Sequence, residues 1–247
     1  MSNHHSPITI LGAGYVGQAL RRQLPDAEAT HRQPSPEPLT HAFQLEDAAT
    51  WPHVPLAGRT VVWTFPAQPL EQVQGLYEAH LKDAAGLIVL GSTSAYQVPE
   101  AAANTVVTVD ETTPLDLTRP RVQGEEWLRQ QGATVLQLAG IFGPDREPAD
   151  WLRRGRIKDG AKIVNLIHVD DTVALIIHLL AHPLPGKRIN VSNGKPIVWR
   201  ELAAQFQREG KIPGDLVLSE SIPGQWGKRI DNGELRRLLP HFRFIQP

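Results

Sequence analysis

Three glycines at positions 12, 14 and 17, in the stretch ILGAGYVGQAL of residues 10–20, have the spacing G-x-G-x-x-G. The chemistry open to such a stretch is the cradling of a diphosphate. Gly12 permits a tight turn, Gly14 lets the backbone approach a pyrophosphate, and Gly17 lets a helix pack closely on a strand. Tyr15 and Val16 complete the loop, and the N-terminus of the following helix faces the phosphates. The alternative is a purely structural turn. What favours a dinucleotide is the position of the motif, between a strand and a helix at the head of a βαβ unit. About 20 positions after the motif begins, an acidic residue would bind the ribose 2′-hydroxyl of NAD and a basic one the 2′-phosphate of NADP. The sequence there is Thr30-His31-Arg32. Arg32 can make charge-assisted bonds to a phosphate, which favours NADP(H). With Arg32 in solvent and Glu28 as ribose acceptor, NAD(H) is the alternative.

Such a loop needs a scaffold, and the periodicity supplies one. Ile8, Ile10 and Leu11 form a short strand, and Val16, Ala19, Leu20 and Leu24 recur at helical spacing with Arg21 and Arg22 left for water. Thr60 to Thr64 and Leu87 to Leu90 read as buried strands, with a helix face of Leu70, Val73, Tyr77 and Leu81 between them. Near-continuous apolar strands separated by amphipathic helices predict a Rossmann-type α/β fold, a doubly wound parallel sheet covered on both faces. Residues 1–140 are expected to form this domain and 141–247 a smaller C-terminal α+β lobe, the two making one compact unit. In the latter, Val173 to Leu180 predict a buried helix N-capped by Asp170 or Asp171. RINVS predicts a strand, and Trp199, Leu202, Ala203 and Phe206 a helix face.

Totals narrow the function classes. The formal net charge is -1, and the basic residues are scattered, so the basic footprint of nucleic-acid binding is missing. No apolar run approaches the roughly 20 residues that span a bilayer. There is no cysteine, hence no disulfide, thiolate zinc site or thiol nucleophile. The expected partner is a small molecule and the expected compartment the cytoplasm. His4 and His5 are read as a solvated terminal pair.

The strand LIVL is followed by GSTSAYQ, DETTP at 110–114, LAGIFGP, NLIHVDD, INVSN and KRIDNGELRRLL. In this order the set resembles the extended and atypical short-chain dehydrogenase/reductases, the NAD-dependent epimerase/dehydratase family, over nearly the whole chain. The resemblance implies that Ser92, three positions before Ala95 at the family's Val position, is the catalytic serine. It makes Tyr96 a pocket-wall residue and lines the cofactor's diphosphate and ribose with Phe65 and Pro66. It also implies a homodimer.

One family hallmark is missing. The general acid/base of the family is the tyrosine of Y-x-x-x-K, and this chain's three tyrosines are followed four residues on by Ala19, Leu81 and Glu100. Matching Glu125-Glu126-Trp127 to the atypical members puts Leu117 at the tyrosine position and Arg121 at the lysine position. Arg121 could bind ribose or a substrate anion, but a pKa above about 12 bars it from proton transfer; it is otherwise a solvated helix charge. His168 is a weaker candidate base. H-x-D-D at 168–171 lacks the second histidine of a metal site, and no metal is expected. Arg153, Arg154, Arg156 and Lys158 either steer an anionic substrate or form a solvated face. Two functions are consistent with these residues. One is an NAD(P)-dependent oxidoreductase or epimerase/dehydratase-like protein acting on a small carbonyl, alcohol or sugar-nucleotide-like substrate. The other is a non-catalytic NADP(H) sensor or regulatory protein.

Overall fold

The computed structural model describes residues 6–102 and 104–247; the His4-His5 pair lies outside them. The chain opens with β1 (Ile8–Leu11), α1 (Tyr15–Gln23), β2 (Glu28–His31), β3 (Thr40–Ala42), β4 (Thr60–Trp63), α2 (Leu70–Leu76) and β5 (Gly86–Ser92). It continues through β6 (Val106–Val109), α3 (Pro120–Gln130), β7 (Thr134–Leu138), β8 (Gly140–Phe142), α4 (Pro148–Arg153), β9 (Ile163–Val164), β10 (Leu166–His168) and α5 (Val169–Ala181). It closes with β11 (Arg188–Val191), β12 (Ile197–Val198), α6 (Trp199–Arg208), β13 (Gly227–Ile230) and α7 (Gly233–Leu238).

Seven strands form one sheet in the order β11-β7-β5-β4-β1-β2-β3. The pairings β1–β2, β2–β3, β1–β4 and β4–β5 are parallel. This is the expected doubly wound Rossmann arrangement. The strands are apolar because helices cover them: Ile10, Leu11, Val61, Val62 and Trp63 have no exposed surface. Between β1 and β4 the order of strands reverses, and at such a switch point the loops after two neighbouring strands diverge and leave a crevice. The helix face of Leu70, Val73, Tyr77 and Leu81 is present, but α2 gives way after Leu76 to a π-helical turn over Tyr77–Leu81.

The chain divides into two compact units that interleave along the sequence. The first takes the segment up to Ala95, Leu115–Gln137 and Thr172–Ile189; the second takes Tyr96–Pro114, Leu138–Asp171 and Asn190–Pro247. The single boundary expected at residue 140 is therefore corrected. RINVS does not belong to a separate lobe's sheet either: as β11 it is the edge strand of the seven-stranded sheet. The second unit is α+β, with parallel β8–β10 and β6–β13 pairs and an antiparallel β9–β12 pair. Its core gathers Phe142, Leu152 and Leu166 around Trp199, Leu202 and Phe206 of α6.

Candidate functional site

Gly12 follows β1 in the left-handed region (φ +97), and a Cβ there would lie 2.8 Å from both Phe65 and the Thr64 hydroxyl. A Cβ on Gly17 would lie 2.1 Å from the Gly12 carbonyl oxygen, so α1 can start this close to β1 only with glycine. The loop between them is held by threonines of the flanking strands. The Gly12 N–H donates to Thr30 Oγ1 (2.8 Å), the Ala13 N–H to the Thr30 carbonyl (2.7 Å), and Thr64 Oγ1 donates to the Gly12 carbonyl (2.5 Å). Gly14 is different: it is the N-cap of α1, it makes no side-chain cap, and nothing lies within 4 Å of where its Cβ would be. No acidic residue occupies the first turn. An uncapped helix start with open space before it fits an anion.

The space is a cleft of about 770 Å³ within the first unit. Of the eight expected cofactor residues, Gly12, Gly14, Arg32, Phe65 and Pro66 line it. Tyr15, Val16 and Gly17 do not: Val16 and Gly17 are on the buried side of α1. The far wall comes from the segment after β3, where Phe43 and Leu45 are buried and Glu46 reaches the cleft. Glu46 forms an ion pair with Arg32, with side chains 44% and 70% exposed. Glu28, the alternative ribose acceptor, is corrected: it sits at the start of β2, bonded to His41 Nε2 at 2.7 Å, and is not among the cleft residues. Thr30, Thr64 and Glu46 escaped the sequence reading because they act across strands, at separations that no local spacing reveals.

Ser92 ends β5, and Thr93–Ala95 form a 3-10 turn behind it. The fold brings Arg121 to this turn. Arg121 Nη2 donates to Ser94 Oγ (2.8 Å) and reaches the Ser92 carbonyl (3.5 Å), while the Ser92 and Ser94 hydroxyls are 3.3 Å apart. Arg121 Nη1 meets Glu125 Oε1 at 3.2 Å one helical turn on, so the reading of Arg121 as a solvated charge is corrected. Glu125 is 1% exposed, and loss of water pushes its carboxyl up to about 7 despite Arg121. Gln137 of β7 donates to the other Glu125 oxygen (3.2 Å). Glu125 had marked only the register of the helix; its i, i+4 spacing from Arg121 was the available signal. Leu117, at the tyrosine position, is not on the helix: α3 begins at Pro120, whose ring fits the first turn, and Leu117 is 52% exposed in the turn before it.

Tyr96 belongs to the second unit and is not among the residues lining the cleft. It is buried, and its hydroxyl donates to Asn190 Oδ1 (2.5 Å), whose own amide donates to the Asp231 carbonyl (3.0 Å). The KRIDN segment is likewise structural there: Lys228 reaches the Tyr96 carbonyl (3.3 Å) and Asn232 donates to the Ser192 carbonyl (2.9 Å). His168 is buried edge-on to Phe142, and its Nδ1 accepts the Asp170 N–H at 3.2 Å. Asp170 and Asp171 are not N-caps, because α5 already begins at Val169; Asp171 instead accepts the Ile245 N–H (2.9 Å). Arg153 pairs with Asp150, while Arg154, Arg156 and Lys158 are exposed and line no part of the cleft.

No family model matches the chain. Over 130 residues it is 32% identical to Protein YeeZ of Escherichia coli, in strain K12 and in O157:H7. The match takes in 49% of this chain and 45% of the relative, so the matched part spans about half the length of these curated relatives. A structure from Methylobacillus flagellatus, provisionally assigned as an NAD-dependent epimerase/dehydratase, superposes with a TM-score of 0.74 at 22% identity, covering 96% of this chain and 91% of that one. MoeE5 in complex with UDP-glucose and NAD gives 0.73 at 16% identity over 98% and 94%. RMD from Pseudomonas aeruginosa complexed with NADPH gives 0.70 at 17% identity over 98% and 94%. The chain therefore has the fold of NAD-dependent epimerase/dehydratases. Among its described residues no helix is long and apolar enough to cross a membrane.

Proposed function

We propose, from the premise of that fold, that this chain binds a nicotinamide dinucleotide along the Gly12–Gly17 cleft and carries out hydride transfer on a small carbonyl, alcohol or sugar-nucleotide-like substrate. The observation that carries the reading is the uncapped start of α1 facing an open cleft at the switch point of the sheet. The relatives of like fold include proteins complexed with NAD and with NADPH, which supports the cofactor class. Bound there, a nicotinamide ring supplies or accepts the hydride.

The chain's own groups do the rest. The N–H groups and dipole at the head of α1 hold the diphosphate. Phe65 and Pro66 wall the cleft beside it. Arg32 takes a ribose 2′-phosphate, so NADP(H) is the favoured form. Its pair with Glu46 is exposed, worth at most about 1 kcal/mol, and yields to a doubly charged phosphate. At the Ser92 turn, Arg121 donates to Ser94, and Ser94 lies within hydrogen-bond reach of Ser92. A cation at one end polarises such a chain and makes the last hydroxyl a better donor. Ser92 thus donates to the substrate oxygen, and with no tyrosine at position 117 the proton exchanges with water.

NADPH and NADH titrations of nucleotide-free protein test the binding. Gly14→Asp is a clean control: its Cβ enters open space at an ordinary φ of -78, so the fold persists while a carboxylate occupies the phosphate site. Loss of binding in this variant is expected; binding that survives it, or no binding by the unaltered protein, overturns the proposal. The second reading, a non-catalytic sensor, is favoured by the exposed Leu117 where the family has its acid/base. Cofactor-dependent turnover of a carbonyl that is lost in Ser92→Ala rules the sensor out.

A further inference from the structure

Of the buried titratable groups that the mechanism leaves unused, Glu125 is the one in contact with Arg121 at the Ser92 turn. Glu125 is buried, and its named neighbours belong to the first unit. From its own helix α3 it meets Arg121, from β7 Gln137, and from β11 the positive field of Arg188. β5 presents Gly91, one residue before Ser92, and a Cβ there would lie 2.5 Å from Glu125 Oε2 and 2.8 Å from Gln137 Oε1. The strand that delivers Ser92 is thus bare at the place where this carboxyl packs. Gln137 Oε1 is buried and accepts no hydrogen bond. The amide can therefore serve either state of its neighbour, donating to a carboxylate or, turned over, accepting from a protonated acid.

Arg121 has two kinds of contact, the Glu125 carboxylate on one side and the Ser92–Ser94 turn on the other. We propose that Glu125 is a positioning residue that holds Arg121 on the Ser92–Ser94 turn only while it is ionised, so that one proton taken up inside the fold loosens the ligand-facing end of the site. A neutral acid forms a weaker bond to a guanidinium than a carboxylate does. Half-buried Arg121 then swings toward water, and the cation that polarises Ser94 is lost. Burial places the exchange near neutrality, where a surface glutamate would already be fully ionised. On its ligand side the inference rests on the function proposed above.

The test has a ligand-free arm and a ligand arm. Carboxyl NMR of glutamate-labelled protein should show one carboxyl, absent in Glu125→Gln, titrating near neutrality, with the Arg121 guanidinium resonances following the same midpoint. Arg121 resonances indifferent to that titration overturn the proposal. In the ligand arm, the NADPH-dependent carbonyl turnover that Ser92→Ala abolishes should fall below the transition, by up to roughly tenfold per pH unit, the limit for one linked proton. Glu125→Gln should turn over slowly and with a flat pH profile across this range while binding NADPH as the unaltered protein does; a pH profile like that of the unaltered protein overturns the proposal. If NADPH binds at no pH, the cofactor reading fails and the NMR arm alone decides. Should Glu125→Gln fail to fold, Gln137→Met keeps the carboxyl but removes a bond to its ionised form. The transition then moves to higher pH, and an unmoved transition overturns the inference.

Discussion

At position 46 a carboxylate faces the arginine that the spacing after the glycine motif marks for phosphate. Arg32 and Glu46 share the cleft wall, and the pair is exposed enough that water screens it. The preference for NADP(H) is therefore a contest between one fixed cation and one fixed anion. Glu46→Gln should tighten NADPH by a few fold and leave NADH within about twofold, as expected for one screened charge. Arg32→Ala should shift preference toward NADH, and titration of both variants with both nucleotides checks this. Glu125 makes a second prediction at this scale, through stability. Its ordinary value is near 4.5 and its folded value about 7. Between these limits the folded chain keeps a proton that the unfolded chain has lost, so stability falls as pH rises through this window. Denaturant midpoints should show unaltered protein losing stability relative to Glu125→Gln from pH 5 to pH 8, by as much as about 3 kcal/mol.

Close contacts between elements rest on a few glycines whose reason lies in another part of the chain. α3 touches the segment after β4 so closely that a Cβ on Gly124 would sit 1.9 Å from the Ala67 carbonyl oxygen. Backbone cannot yield as a flexible side chain can, so Gly124→Ala must displace the helix that carries Arg121 and Glu125. The expected loss is about 2–3 kcal/mol, of the size seen for overpacking, together with weaker NADPH binding. Chemical denaturation and a nucleotide titration on the same variant check both. The helix periodicities were legible because α1 and α6 bury one stripe each. The start of α3 was not, since matching motifs placed Leu117 only at the family's tyrosine position, whereas Pro120 favours the first turn and begins it there.

Across the whole molecule the chain passes between its two units after Ala95, Pro114, Gln137, Asp171 and Ile189. The seven-stranded sheet draws its edge strand β11 from residues 188–191, well beyond the boundary that the loosening of the α/β pattern suggests. A fragment of residues 1–140 lacks that strand and the segment Thr172–Ile189 of its own unit. It should show no cooperative unfolding transition by circular dichroism, whereas the full chain should unfold cooperatively. A cooperative transition in the fragment would show that the edge strand is dispensable.

The residues alone carried the Rossmann class and the strand-glycine-helix head, because each depends on neighbours within a dozen positions: period-two and period-3.6 burial, and glycines where backbone meets backbone; Ser92 was marked only by the family resemblance. The lack of a Tyr-x-x-x-Lys pair was equally plain in the sequence. Tertiary structure decided what those residues touch. It paired Arg32 with Glu46, set Arg121 between Ser94 and a buried Glu125, and committed the Tyr96 hydroxyl to Asn190 across 94 positions. The physical reason is that strand order, not sequence distance, determines which side chains meet. Desolvation, which sets the state of Glu125, exists only once the sheet and its helices have closed over it.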